Sequence, residues 1–196
     1  MQPVSNIKIE EGGLTLGLSE AQVNERVKKA KSIVPNAIGM NNHMGSAATA
    51  DTTLMTYLMI ALREQHLFFL DSRTIGKSVA GKIAKEQGVK VLDRHVFLDD
   101  SDNLVDVQRQ FQNAIQYARK HGTAIAIGHP RPNTVAILKS GIKNLPDDIQ
   151  LVGMGSLWRN EKILPPKPFI LLFNDIPAPT SIAPFEPIPL LRGVPR

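Results

Sequence analysis

Apolar residues recur along most of this chain in two alternating rhythms. Short unbroken apolar runs stand at residues 37–40, 67–70, 89–92, 96–98 and 124–127. Between them, apolar side chains return every three or four positions, the spacing of one helical face. Val23, Val27, Ala30 and Val34 mark the first such stretch, opened by Ser19 as an N-cap with Glu20 in the first turn and stopped by Pro35. Leu54, Leu58, Ala61 and Leu62 mark a helix over 51–65, and a third over 76–86 ends at Gly88. Val107, Phe111, Ile115 and Ala118 give the inward stripe of a helix over 104–120, closed by Gly122. A last helix is expected over 133–143, and the regular pattern ends at 149–152. Residues 1–18 read as coil around the turn pair Gly12-Gly13. Strands that are apolar throughout, alternating with amphipathic helices, predict an α/β fold, a parallel sheet with helices on its faces.

The rhythm stops near residue 158. Nine of the fourteen prolines lie beyond residue 164. Proline locks φ and lacks an N–H, so a stretch this dense in it makes neither helix nor central strand. One domain over 1–158, followed by a largely irregular proline-rich tail over 159–196, is the expected organisation, with Phe169–Phe173 as the tail's one apolar island.

Composition narrows the chemistry. There is no cysteine, which excludes disulfides, thiolate zinc sites, iron–sulfur clusters and cysteine nucleophiles. Aromatics make up 5% of the chain, too few for stacked single-strand nucleic-acid grooves. The net charge is +5, but the positive residues are scattered; the densest group, Lys28, Lys29 and Lys31, shares a helix with Glu25. That is the pattern of a solvated face, and no nucleic-acid partner is expected. No apolar run approaches the roughly 18 residues of a membrane span. The polar opening Met1–Asn6 is no signal peptide.

In parallel α/β folds, functional groups gather at the carboxyl ends of the strands. Here those ends read Asn41-Asn42-His43-Met44-Gly45-Ser46, Asp71-Ser72-Arg73-Thr74, Asp99-Asp100 and Gly128-His129-Pro130. Two imidazoles and a carboxylate are the usual ligands of a catalytic zinc or similar ion. A further carboxylate takes a proton from water, and an imidazole protonates a leaving amine. Arg73 suits an anionic group bound at two points. The structural alternatives stay open: Asp71 and Asp99 as caps or turn formers, His43 and His129 as donors to backbone carbonyls. His66 and His121 fall near helix ends, and His95 is expected to pack. Gly76-Lys77-Ser78 resembles the end of a phosphate loop, but the pattern requires glycine at position 71, where Asp71 stands. No G-x-G-x-x-G and no G-x-S-x-G occurs.

At these segments the sequence resembles the divergent polysaccharide deacetylase family. The resemblance rests on Gly39–Ser46, Phe69–Thr74, Val96–Asp100 and Ala124–Pro130, and extends over about residues 1–157. It implies an irregular (β/α) barrel and metal-dependent removal of acetyl groups from N-acetylated sugars or peptidoglycan, in the periplasm or outside the cell. It also implies a divalent metal, zinc by its chemistry, with His43, His129 and Asp71 as ligands and Asp71, Arg73 and Asp99 as catalytic residues. One feature of the family is missing: an N-terminal strand ending in paired aspartates. Met1-Gln2-Pro3 matches the tail of the segment that follows it. The expected fold is therefore an incomplete barrel with one raw apolar sheet edge, open to self-association, and with weakened metal affinity. The alternative within the same resemblance is a non-catalytic envelope protein that binds glycan or a cell-wall hydrolase.

Overall fold

The computed structural model describes residues 1–162 and, beyond them, the two short strands Ala178–Pro179 and Pro187–Ile188. Helix α1 spans Glu20–Ile33; Ser19 accepts the Gln22 N–H while the Gln22 side chain accepts the Ser19 N–H, a reciprocal cap that satisfies two of the donors a helix start leaves free. Strand β1 is Gly39–Asn41, and helix α2, Thr52–Glu64, starts where Asp51 accepts the Leu54 N–H. Strand β2 is Phe68–Asp71; helix α3, Ala80–Gln87, ends at Gly88 in the left-handed conformation. Strands β3, Val91–Asp93, and β4, Val96–Phe97, lead to helix α4, Leu104–His121, capped by Asn103 and closed by Gly122. Strand β5, Ala126–Ile127, helix α5, Pro132–Lys143, and the short helix α6, Met154–Trp158, complete the series.

All described pairings among β1 to β5 are parallel. The order β1-β2-β3 forms one sheet, with Gly39 opposite Phe68 and Asp71 opposite Asp93, and β4 pairs with β5, Val96 opposite Ala126. The two sheets are joined by a single chain path. The Arg94 N–H still bonds the Asp71 carbonyl, and the next residue, His95, already bonds the Ile125 carbonyl. The strand thus passes from β2 to β5 within two residues, and the described strands close no barrel. The core divides accordingly. One cluster packs α1, α2 and α3 around Phe69, with Leu54, Met55, Met59 and Leu62 at its centre; the other packs α4 and α5 on β4 through Val96, Val107, Phe111, Ile115 and Ile137. Gly39 is required by that packing: a Cβ there would lie 2.5 Å from the Phe68 ring.

Three local expectations need correction. Helix α3 begins at Ala80, not 76, because Ser78 gives its hydroxyl to Asp71 and the preceding residues run as loop. On α1 only Val23 and Val27 are buried. Ala30 instead lines a cavity of about 530 Å³ beside Met40 of β1, and Val34 is 56% exposed. Among the described residues no strand pairs with the other edge of β1, so this cavity borders an open edge. Helix α6 carries no long apolar stripe and was not expected; the Lys90 ammonium holds its last carbonyls, Leu157 and Trp158, and the Trp158 ring lies 5.6 Å from Phe68. The expectation for the proline-rich tail, Phe169–Phe173 included, falls mostly outside the described residues; there the described backbone pairs antiparallel, Ala178 opposite Ile188. No helix among the described residues is long and apolar enough to cross a membrane.

Candidate functional site

The strand ends deliver two aspartate corners. At the end of β2, Asp71 is 1% exposed. One of its carboxylate oxygens accepts the Arg73 N–H at 2.8 Å and the other accepts the Ser78 hydroxyl at 2.6 Å. Asn42, also 1% exposed, ties this loop to the one after β1. Its Oδ1 accepts the Ser72 N–H at 2.7 Å, its carbonyl accepts the Ser72 hydroxyl at 2.6 Å, and its Nδ2 donates to the Met44 carbonyl at 2.9 Å. The Thr74 hydroxyl donates to the same Met44 carbonyl. Met44 and Arg73 both hold positive φ, 56° and 51°, in this network. Non-glycine residues in that region cost on the order of 1–3 kcal/mol each and persist only where the surroundings hold them.

The second corner follows β4. Asp99 is fully buried. Its Oδ2 accepts the His129 backbone N–H at 2.7 Å and the Thr134 hydroxyl at 2.9 Å, and its Oδ1 lies 3.1 Å from His129 Nδ1. Arg131 donates to the Asp99 carbonyl at 2.8 Å. Burial alone would raise the Asp99 carboxyl, but the His129 N–H, the Thr134 hydroxyl and the His129 ring outweigh it and hold it below the usual carboxylate range. An ionised carboxylate only accepts, so the proton of a neutral His129 sits on Nδ1 and Nε2 is left with its lone pair. Gly128, the residue before His129, is closely packed: a Cβ there would lie 3.0 Å from Thr134 Cγ2 and 3.2 Å from Leu98 Cβ, so a neighbour would have to give way.

His129 is partly open, its side chain 36% exposed. The His43 ring meets it edge-on, centroids 5.8 Å apart, and Phe97 meets it edge-on at 5.7 Å. His43 also stands at the mouth of the cavity beside β1. The structure thus brings His43, His129 and Asp99 together. Asp71 is a neighbour through Ser72 and Asn42, but its carboxylate oxygens are engaged within its own loop. Arg73 extends to Asp93, its Nη1 3.5 Å from the carboxylate, with half of its side chain exposed. His95 packs as expected: its Nδ1 accepts the Ile125 N–H at 2.8 Å and its ring stacks on Tyr117 at 4.7 Å.

The donor set does not fit a three-ligand metal centre. Among the described residues no three His, Asp or Glu side chains are drawn together as a metal would need. Two imidazoles meet edge-on, and the carboxylates of Asp71 and Asp99 are committed to hydrogen bonds. Sequence reasoning missed Asn42, Ser78, Arg131 and Thr134. Each is an ordinary polar residue whose role arises only when two distant loops meet; the one signal is the polar pair Asn41-Asn42 directly after an apolar strand.

The profile of the divergent polysaccharide deacetylase family matches residues 1–158. An uncharacterized protein of Haemophilus influenzae is 76% identical over 196 residues, which is 100% of this chain and 70% of that protein. The uncharacterized protein YibQ of Escherichia coli is 44% identical over 170 residues, 85% of this chain and 53% of that protein. The crystal structure of an uncharacterized protein from Agrobacterium tumefaciens superimposes with a TM-score of 0.74 at 20% identity, covering 80% of this chain and 65% of that one; it shares the fold. The chain therefore spans about half of the Escherichia coli relative's length.

Proposed function

Because the chain belongs to the divergent polysaccharide deacetylase family, we propose that it hydrolyses the N-acetyl amide of a cell-wall glycan, with Asp99 and His129 as the proton-handling pair. The observation that carries this reading is the fully buried Asp99 holding Nδ1 of a partly exposed imidazole. His129 Nε2 takes a proton from water as the water oxygen adds to the acetyl carbon. The imidazolium then returns that proton to the sugar nitrogen as the C–N bond breaks, and acetate leaves with the free amine behind. Such proton transfer contributes typically 10²–10⁴-fold. His43, whose ring lies 5.8 Å from that of His129, hydrogen-bonds the oxygen that gains charge in this reading. Asp71 keeps the loop that presents Arg73 in place, and Arg73 orients the glycan. No step is routed through a divalent ion such as zinc, because His43 and His129 are joined by no third ligand among the described residues. A periplasmic or exported setting, where peptidoglycan lies, goes with this reading.

A second reading, a glycan-binding protein that performs no hydrolysis, is favoured by that incomplete donor set. Release of acetate from N-acetylated chitooligosaccharide and from peptidoglycan decides between them. Hydrolysis predicts release that His129→Gln lowers at least about 100-fold. Binding of the same glycans without acetate release would replace hydrolysis by recognition.

A further inference from the structure

A second cavity, about 630 Å³, lies where the strand passes from β3 to β4, under the polar face of α4. Arg73, Arg94, Phe97, Asp100, Asn113 and Tyr117 are among its walls. Phe97 joins it to the site above: one ring has His129 at its edge, 5.7 Å away, and the Arg94 guanidinium over its face, 5.1 Å away.

The two arginines are held differently. Arg94 donates from Nε to the Ser72 carbonyl at 2.6 Å and from Nη2 to the Arg73 carbonyl at 3.0 Å, so its plane is fixed. Its Nη1 makes no hydrogen bond to the described residues. Arg73 has its N–H on Asp71 and its carbonyl on Arg94, which clamps the strained residue from both sides. Among the described residues its guanidinium has only the 3.5 Å contact to Asp93. A guanidinium fixed by two backbone carbonyls and one held by a single long contact thus both line the same cavity. Asp100, exposed on the same lining, adds an acceptor. A simple anion would be repelled by Asp100 and Asp93. A ligand carrying both a carboxylate and hydrogen-bond donors satisfies the whole lining: the carboxylate meets the two guanidiniums, and hydroxyl or amide N–H groups meet Asp100 and Asn113.

We infer that this cavity is a subsite for an acidic sugar, one ring along the glycan from the acetylated sugar at His129. This rests on the proposed glycan reading and narrows it, from N-acetylated glycans in general to those with a carboxylate-bearing neighbour such as the lactyl sugar of peptidoglycan. Charge-assisted, bidentate hydrogen bonds are the strong ones, and they select for a planar carboxylate.

The test is calorimetric titration of the full chain with the disaccharide of N-acetylglucosamine and N-acetylmuramic acid, with its methyl ester, and with neutral chitobiose. The free acid is expected to bind about tenfold tighter than the ester, a difference of about 1.4 kcal/mol. Arg73→Gln is expected to remove most of that preference, weakening the acid far more than the ester. The ester alters only the ligand, so the comparison stands even if an Arg94 variant folds poorly. A disaccharide of glucuronic acid and N-acetylglucosamine separates the two sources of carboxylate: the tighter of the two acids identifies the natural neighbour. Equal binding of acid and ester, or of acid and chitobiose, would overturn the subsite and leave the glycan reading intact. Binding of none of these sugars would overturn both.

Discussion

Asp71 and Asp99 stand at matching places, each at the carboxyl end of a parallel strand and each buried. They differ in what they hold. Asp71 engages a backbone N–H and a hydroxyl of its own loop, and nothing leads outward from it. Asp99 uses one oxygen in the same way, on the His129 N–H and Thr134, and offers the other to the His129 ring, which reaches solvent. One carboxylate fixes a loop; the other fixes a loop and sets the tautomer of a base. Position at the rim nominates a residue for chemistry, and the partner of its second oxygen decides the role.

The largest effect is expected at Asp99. Asp99→Ala leaves two N–H groups and a hydroxyl without their acceptor, a loss of about 2–4 kcal/mol in denaturant unfolding. Asp99→Asn should keep more of the fold yet lower acetate release at least about 100-fold, because the amide no longer dictates the His129 tautomer. Asp71→Asn sharpens the contrast. It should cost about 1–3 kcal/mol of stability and leave acetate release by the folded fraction within a few-fold of the parent. Loss of release in Asp71→Asn equal to that in Asp99→Asn would break the distinction between the corners.

Much of this architecture was legible in the chain. Helical spacing located α2 and α4 to within a residue or two, since their stripes, Leu54 to Leu62 and Val107 to Ile115, are long and uninterrupted. The strand ends named His43, Asp71, Arg73, Asp99 and His129, because apolar runs that stop at a polar residue mark the rim of a parallel sheet; of these the structure draws His43, Asp99 and His129 together, while the Asp71 oxygens stay within their own loop. The division of labour between the two aspartates was hidden. It depends on Ser78 and Thr134, which lie 7 and 35 residues from their acceptors and are brought there only by tertiary packing. The exposure of Ala30 and Val34 was hidden for a similar reason: helical spacing reports a stripe but not whether a partner covers it.

Intermediate effects should come from the glycine and from acid. Gly128→Ala forces a methyl against Thr134 and Leu98 and should cost about 1–3 kcal/mol. Its hydrolytic loss should exceed its loss of folded protein, since Thr134 is a partner of Asp99. On acidification, the Asp99 carboxyl sits below its ordinary value of 3.8, so its contribution to stability is complete above that pH and is lost as pH falls through the folded value. His95 acts earlier. Burial, opposed by Asp93 and aided by His121, lowers it from 6.5. The unfolded chain therefore takes up a proton first, and stability declines as pH falls below about 6.5. Asp99→Asn should flatten the lower step of a stability-against-pH curve and His95→Gln the upper one. The smallest effect is expected from Thr134→Val, which removes one of several hydrogen bonds to Asp99 and should cost about 1 kcal/mol.

The central claim is that Asp99 holds the His129 proton on Nδ1 and leaves Nε2 free to act on water. Long-range proton–nitrogen correlation spectra of the labelled chain, taken where His129 is neutral, read that tautomer directly. The account predicts a protonated Nδ1 and a bare Nε2 in the parent protein, with the two forms mixing in Asp99→Asn. A His129 that carries its proton on Nε2 in the parent would contradict it.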